Sequence, residues 1–168
     1  LHACALGRAG DAWCWGSNRS GAVDWQDYPG GSRSLPIRVA ELPAALELGL
    51  ADDVSCSRHA DGSVRCWNRG ELQPLVLDRK PLAFARGGAS AHLCVVVEGG
   101  GARCMGPRGT PSLGTDDKSG ADGALPTAVP GLPVVTAAAT APQHGCALAE
   151  DGHVWCWGDN AFGQLGDG

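Results

Sequence analysis

The 168-residue sequence lacks the long apolar runs, the helical periodicity and the positive charge that mark several large classes of protein. No apolar run approaches the roughly 20 residues that a membrane-spanning helix requires. No long segment repeats apolar residues with the 3.6-residue period of an amphipathic helix, so we expect short strands joined by turns. The net charge of -5 has the wrong sign for a surface that gathers nucleic acid or anionic lipid.

Motifs of common catalytic and metal-binding sites are missing as well. The sequence has no Gly-x-Ser-x-Gly, no phosphate-binding glycine loop that ends in lysine, and no set of histidine and carboxylate residues at catalytic spacing. The acidic stretch from Asp116 to Asp122 lacks the alternating oxygen ligands of a calcium loop, so we interpret it as a solvated turn. We therefore expect no catalysis, no cofactor and no metal ion. No signal peptide is visible and the first residue is Leu1, which indicates an excerpt or a processed product.

What the sequence does contain is four cysteine pairs with one common spacing. Nine residues separate the members of each pair, and the pairs use all eight cysteines: Cys4 and Cys14, Cys56 and Cys66, Cys94 and Cys104, Cys146 and Cys156. A glycine six residues after each first cysteine suits the last position of a three-residue hairpin loop, which needs positive φ. Folding the chain about that loop places the paired cysteines directly opposite each other, with Cα atoms roughly 4.5 Å apart. That distance lies within disulfide range, so we predict one disulfide in each hairpin.

The paired cysteines could instead hold a metal, because His2, His92 and His144 each stand two residues before a first cysteine. Zinc sites usually place neighbouring ligands about two to four residues apart, however, and these cysteines do not have that spacing. We favour a structural role for the three histidines. Four disulfides are typical of an oxidising compartment, so we expect an extracellular or cell-surface location, with the periplasm included.

A proline pattern before three of the hairpins predicts two more strands in each repeat. Two prolines seven residues apart stand before each hairpin, the first of them twenty residues ahead of the cysteine: Pro36 and Pro43, Pro74 and Pro81, Pro126 and Pro133. Apolar residues follow both prolines, which indicates one short strand after each. With the two hairpin strands, we expect four strands in each repeat. The repeats are 52, 38 and 52 residues long, a period typical of a β-propeller.

The second and third hairpins depart from the apolar pattern of the other two. Three positions that are apolar in the first and fourth hairpins carry arginine in these two: Arg58, Arg65 and Arg103. We expect that these two hairpins either are partly exposed or have drifted in sequence without selection for packing.

The ending from Trp157 to Gly166 reads Trp-Gly-Asp-Asn-Ala-Phe-Gly-Gln-Leu-Gly and closely resembles the regulator of chromosome condensation repeat. Weaker matches to this pattern follow the first and third hairpins, at residues 15–23 and 105–114. The second repeat differs from the pattern, because its hairpin is followed by Trp67-Asn-Arg-Gly70. The cysteine pairs resemble the bacterial, secreted branch of this family. The resemblance implies a seven-bladed propeller. We therefore expect residues 1–168 to form a single all-β domain, an arc of about three and a half four-stranded blades.

The connector after the first hairpin contains the best candidates for a binding site. Trp25, Asp27 and Tyr28 fall outside the repeat pattern, since Thr115 and Asp167 stand at the positions equivalent to Trp25. Exposed Trp and Tyr on loops are favoured anchors for protein or sugar partners. The alternative is that this loop folds back and buries Trp25 on its own blade.

These observations favour a non-catalytic extracellular module that binds protein or glycan through the loops of one rim. We also expect the module either to pack against further propeller repeats of a parent chain or to self-associate. The resemblance implies two alternatives, a secreted propeller that inhibits an enzyme and a guanine-nucleotide exchange factor for a small GTPase. Acidic charge and paired cysteines argue against the exchange factor, and fold membership alone establishes neither activity.

Overall fold

The structure, a computed structural model, describes residues 1–87, 91–107, 110–114 and 126–168. Regular structure in these residues is β-strand apart from one 3-10 turn at Pro111–Leu113, which confirms the prediction of an all-β fold. None of the described residues lies in a helix long and apolar enough to cross a bilayer. The acidic stretch from Asp116 to Asp122 lies outside the described residues.

The chain divides into two compact units, Leu1–Val76 and Leu77–Gly168, and each unit contains two antiparallel sheets. The first unit has the sheets β1-β2-β3 and β4-β5-β6-β7, with strands at His2–Leu6, Ala12–Gly16, Arg33–Arg38, Ala45–Ala51, Val54–His59, Val64–Asn68 and Glu71–Pro74. The second has the sheets β8-β9-β10-β11 and β12-β13-β14, with strands at Pro81–Phe84, Leu93–Val97, Ala102–Met105, Thr127–Ala128, Val135–Thr140, His144–Ala149 and Val154–Gly158. That the units form one domain stays a prediction.

The hairpin register is the one that the cysteine spacing predicts. In all four hairpins the paired cysteines lie directly opposite each other, with Cα atoms 4.0 to 4.1 Å apart and sulfur atoms at bonding distance. Gly10, Gly62 and Gly152 have the predicted positive φ. The third hairpin differs, because Gly99 rather than Gly100 has positive φ. A run of three glycines allows the turn to take this conformation one residue earlier.

The strands at the first prolines belong to the preceding hairpin, which corrects our assignment of them to the following one. β3 pairs with β2, β7 with β6, and β11 with β10. Each of these strands lies at the edge of its sheet, where proline is tolerated because one side needs no backbone donors. The strands after the second prolines, β4, β8 and β12, pair with the following hairpin as predicted. The chain therefore passes from one sheet to the next between the two prolines.

The two units have equivalent cores. In the first, the face of β2 that carries Cys14 packs with Val23, Val39 and Trp67. In the second, the disulfide of Cys94 and Cys104 packs with residues of the next sheet. The largest ring in each core comes from the second hairpin of the unit, where it follows the second cysteine: Trp67 in the first unit and Trp157 in the second. The disulfides of Cys4 with Cys14 and of Cys94 with Cys104 therefore lie in cores that two neighbouring sheets share.

Two of the three arginines in the less regular hairpins are partly exposed and paired with carboxylates. Arg58 is 20% exposed and donates from Nε to Glu47 Oε2 at 3.1 Å, across the β4–β5 pair. Arg103 is 13% exposed and forms two hydrogen bonds to the Asp78 carboxylate, at 3.0 and 2.7 Å. These bonds lower the pKa of Asp78. Arg65 is exposed as expected. A paired carboxylate thus allows a guanidinium to replace an apolar residue at the sheet surface.

Candidate functional site

The connector between β2 and β3 is organised around the buried side chain of Asn18. Its Nδ2 group donates to the carbonyl oxygens of Asp24 and Asp27 at 2.9 and 2.8 Å. Its Oδ1 atom accepts from the backbone N–H groups of Val23 and Asp24 at 3.0 and 2.8 Å. One amide therefore uses its donors and its acceptor to fix a ten-residue segment of loop. The loop is held in one conformation before any partner binds.

Glycine at position 30 is required by the same arrangement. A Cβ atom there would lie 2.3 Å from the Asp27 carbonyl oxygen and 2.6 Å from Asn18 Nδ2. Both distances are shorter than side chains tolerate, so only glycine allows the chain to return past Asn18. The loop consequently presents residues 26–29 to solvent, and we name these four residues the connector surface.

Tyr28 is the large side chain that the connector surface exposes. It is 43% exposed, and one side of its ring lies over Gly70, where an added Cβ would be 3.6 Å from Tyr28 Cδ1. Beside it, the Asp27 carboxylate forms an ion pair with Arg33. Gln26 donates to the carboxylate of Glu41 at 3.2 Å. The surface thus combines a supported aromatic ring with charges of both signs.

Trp25 lies differently from its neighbours in the connector. Its side chain is partly buried and packs against the core that contains Val23, Val39 and Trp67. Its indole nitrogen is buried and has no hydrogen-bond partner among the described residues. The structure favours the alternative in which the loop folds back over Trp25. Asp27 and Tyr28 remain the accessible members of the predicted set.

An indole-to-carbonyl contact between neighbouring sheets was not anticipated from the sequence. The Trp67 indole donates to the Ala22 carbonyl at 2.8 Å, and the Trp157 indole donates to the Ser112 carbonyl at 2.9 Å. In both cases the donor tryptophan immediately follows the second cysteine of its own hairpin. The acceptor carbonyl belongs to the loop after the preceding hairpin, eight residues beyond that hairpin's second cysteine. The common separation of 45 residues is a signal that could have revealed this contact.

Of the three histidines that stand two residues before a first cysteine, His92 is buried and His2 and His144 are partly buried. Ser55 Oγ donates to the Ala22 carbonyl at 2.8 Å, and therefore accepts a hydrogen bond from His2 Nε2 at 2.7 Å. His92 is almost completely buried. Burial lowers the pKa of both histidines below the ordinary value of 6.5. Among the described residues, no three side chains of the types that bind metals lie together.

A second histidine contact joins the end of β5 to the residue before β4. His59 Nδ1 contacts the Ala44 carbonyl oxygen at 3.0 Å, and His59 Nε2 lies 3.0 Å from Ser57 Oγ. Both side chains are buried. Their burial keeps this Ser and His pair away from any substrate in solution, so we assign it a role in packing.

The lowered pKa values of His2 and His92 predict a loss of stability in mild acid. The two histidines bind protons more readily in the unfolded chain than in the folded one. Their contribution to the free energy of unfolding is therefore fully present above pH 6.5 and declines as the pH falls below that value. Urea unfolding at neutral pH and again in mild acid measures the difference. The double substitution His2→Gln and His92→Gln should make the midpoint less dependent on pH. An equal pH dependence in both proteins would contradict this assignment.

Comparison with protein families identifies one repeat in the chain directly. Residues 135–164 match the regulator of chromosome condensation (RCC1) repeat. These residues comprise β12, the fourth hairpin and the loop that follows it. No curated protein sequence matches the chain.

Solved structures are similar to nearly the whole chain. Yeast RCC1 (Prp20) bound to Kap60 is 22% identical, with a TM-score of 0.83 over 99% of this chain and 43% of that one. Prp20p from Saccharomyces cerevisiae, described with its binding properties to Gsp1p and histones, gives 22% identity and a TM-score of 0.84 over 99% and 44%. Human WBSCR16 is 19% identical, with a TM-score of 0.75 over 98% and 47%. The chain spans less than half the length of these three proteins, and they confirm the fold predicted from the sequence.

Proposed function

We propose that this chain, a β-propeller of the regulator of chromosome condensation repeat family, is a non-catalytic protein-interaction module that binds its partner through the connector surface. The observation that supports this most directly is the exposed Tyr28 ring on a loop held by Asn18 and Gly30. A loop that is already ordered loses little conformational entropy on binding. Tyrosine is among the residues that contribute most to protein interfaces.

Charge and position favour a protein rather than a glycan as the partner. The Asp27–Arg33 pair and Glu41 place both signs of charge next to the aromatic ring. Such a polar rim around an aromatic anchor is the usual anatomy of a protein interface. Yeast Prp20 binds Kap60, which is a protein partner of a chain with the same fold.

We propose an extracellular or cell-surface location, because four cysteine pairs at bonding distance are favoured by an oxidising compartment. We also propose that the chain does not catalyse nucleotide exchange. Addition of the protein to a small GTPase loaded with labelled GDP should leave the rate of GDP release unchanged. Accelerated release would refute the non-catalytic role.

Tyr28→Ala should weaken partner binding strongly while leaving the fold intact. Loss of an interface anchor costs about 2 kcal/mol, or roughly thirtyfold in affinity. Immobilised wild-type and variant proteins are compared as baits for the extracellular protein fraction of the source organism, and the affinity of each captured protein is measured after purification. Val76→Ala, which shortens an exposed apolar side chain away from the connector surface, is the matched control and should bind normally.

Trp25→Ala separates binding from packing in the same assay. Because Trp25 packs against the core, its loss should lower the melting temperature, whereas Tyr28→Ala should change it little. A partner that binds the Tyr28→Ala and wild-type proteins equally well would place the binding site elsewhere.

A further inference from the structure

The buried asparagine of the connector belongs to an acceptor sequence for N-glycosylation. Asn18, Arg19 and Ser20 match the pattern Asn-x-Ser, in which the middle residue is not proline. The other two asparagines, Asn68 and Asn160, have no serine or threonine two residues later. An N-linked glycan is bulky and requires a position at the protein surface. The structure instead places Asn18 at 0% exposure.

The amide nitrogen that would carry the glycan already uses both of its hydrogens. Asn18 Nδ2 donates one hydrogen bond to the Asp24 carbonyl at 2.9 Å and another to the Asp27 carbonyl at 2.8 Å. Glycosylation forms a bond from this nitrogen to C1 of a sugar and breaks the bond from C1 to the diphosphate of a lipid-linked oligosaccharide. One hydrogen of the nitrogen leaves as a proton. The modified nitrogen therefore keeps a single donor and loses one of its two bonds to the loop.

The folded connector also has no space for a sugar at this nitrogen. A single Cβ added to Gly30 would lie 2.6 Å from Asn18 Nδ2, because the chain passes so close to the amide. The side chain cannot rotate towards solvent either, since its Oδ1 atom accepts from the N–H groups of Val23 and Asp24. A glycan on Asn18 and the folded connector therefore exclude each other.

We propose that Asn18 must remain unmodified for the connector to fold, and that the chain forms its disulfides in a compartment that attaches no glycan to Asn-x-Ser. In the unfolded chain Asn18 is accessible, so glycan attachment and folding compete for one nitrogen atom. Among oxidising compartments, this favours the periplasm and the bacterial cell surface over the lumen of the endoplasmic reticulum. The need for an oxidising compartment rests on the location proposed above, whereas the conflict between glycan and fold does not.

Ser20→Ala removes the acceptor sequence and leaves Asn18 in place. In the structure Ser20 contributes its backbone carbonyl, which accepts from the Arg69 N–H at 2.5 Å, and alanine retains that carbonyl. Ser20→Thr is the matched control, because it changes the same side chain and keeps the acceptor sequence. The two variants therefore separate the effect of glycosylation from the effect of altering residue 20.

Wild-type protein and both variants are produced in the bacterial periplasm and, separately, through the secretory pathway of insect cells, which attaches N-glycans. In the periplasm all three should give equal yields and equal melting temperatures. In insect cells the wild type and Ser20→Thr should carry a glycan that peptide N-glycosidase removes. Both should be secreted roughly fivefold less than Ser20→Ala, because cells retain and degrade chains that do not fold. Secreted Ser20→Ala should melt at the temperature of the periplasmic protein.

Two results in insect cells would overturn the conflict between glycan and fold. One is secreted wild-type protein that carries a glycan on Asn18 and melts like Ser20→Ala. The other is unmodified wild type secreted as well as Ser20→Ala, which would mean that folding precedes attachment.

Mass spectrometry of the protein from its source organism tests the compartment. Asn18 should be unmodified and all eight cysteines oxidised, and a glycan on Asn18 would refute the assignment. Partner binding through Tyr28 is measured on periplasmic protein, so its failure is distinguishable from the failure of this proposal.

Discussion

Complete reduction of the four disulfides should unfold the protein at room temperature. Each one closes a short hairpin loop and contributes about 3 kcal/mol by restricting the unfolded chain. Together they are worth about 12 kcal/mol, as much as the whole net stability of a typical domain, about 5 to 15 kcal/mol. Much of the remaining core consists of alanine and valine, which bury little apolar area. Circular dichroism and tryptophan fluorescence, recorded with and without reductant, measure the loss.

Thiol titration supplies the control for this experiment. The denatured, unreduced protein should contain no titratable thiol, since all eight cysteines are paired. Replacing Cys94 and Cys104 with alanine should cost more than replacing Cys146 and Cys156, because the first pair is fully buried and the second is only partly covered. A reduced protein that still melts cooperatively would show that the sheets do not depend on the disulfides.

Trp67→Ala should be the most destabilising single substitution in the first unit. The Trp67 side chain is completely buried and lies in the core with Cys14 and Val39. Removing a buried tryptophan costs about 3 to 5 kcal/mol, through lost apolar burial and the cavity that remains. Trp67→Phe keeps most of the ring but loses the hydrogen bond to the Ala22 carbonyl, so it should cost less, with about 1 kcal/mol from the bond itself.

Denaturant unfolding followed by circular dichroism compares these variants. Trp155→Ala is the matched control, because Trp155 is a tryptophan of the equivalent hairpin strand that is 46% exposed. It should lose much less stability than Trp67→Ala. If the two alanine variants lose equal stability, the contact between neighbouring sheets is not what holds the first unit together.

The candidate site was only partly predictable from the sequence. Its location followed from the aromatic residues that the repeat pattern does not require, because a repeat leaves its connectors free to vary. The exposure of Tyr28 and the partial burial of Trp25 could not be predicted, although only two residues separate them. They depend on the hydrogen bonds of Asn18 and on the passage of the chain at Gly30. Neither of these has a local period that a sequence pattern can show.

By itself, the sequence determined the four hairpins, their register and the opposition of every cysteine pair. This was possible because a hairpin is local and a shift of one residue would turn every side chain to the other face. Only the tertiary structure decided that β3, β7 and β11 complete the preceding sheets, and that Trp67 and Trp157 join one sheet to the next. Those contacts connect residues far apart in the chain, through backbone groups that every residue shares. The spacing of residues within one hairpin therefore does not specify them, and only a comparison of the two junctions, with 45 residues between donor and acceptor in each, indicates the tryptophan contact.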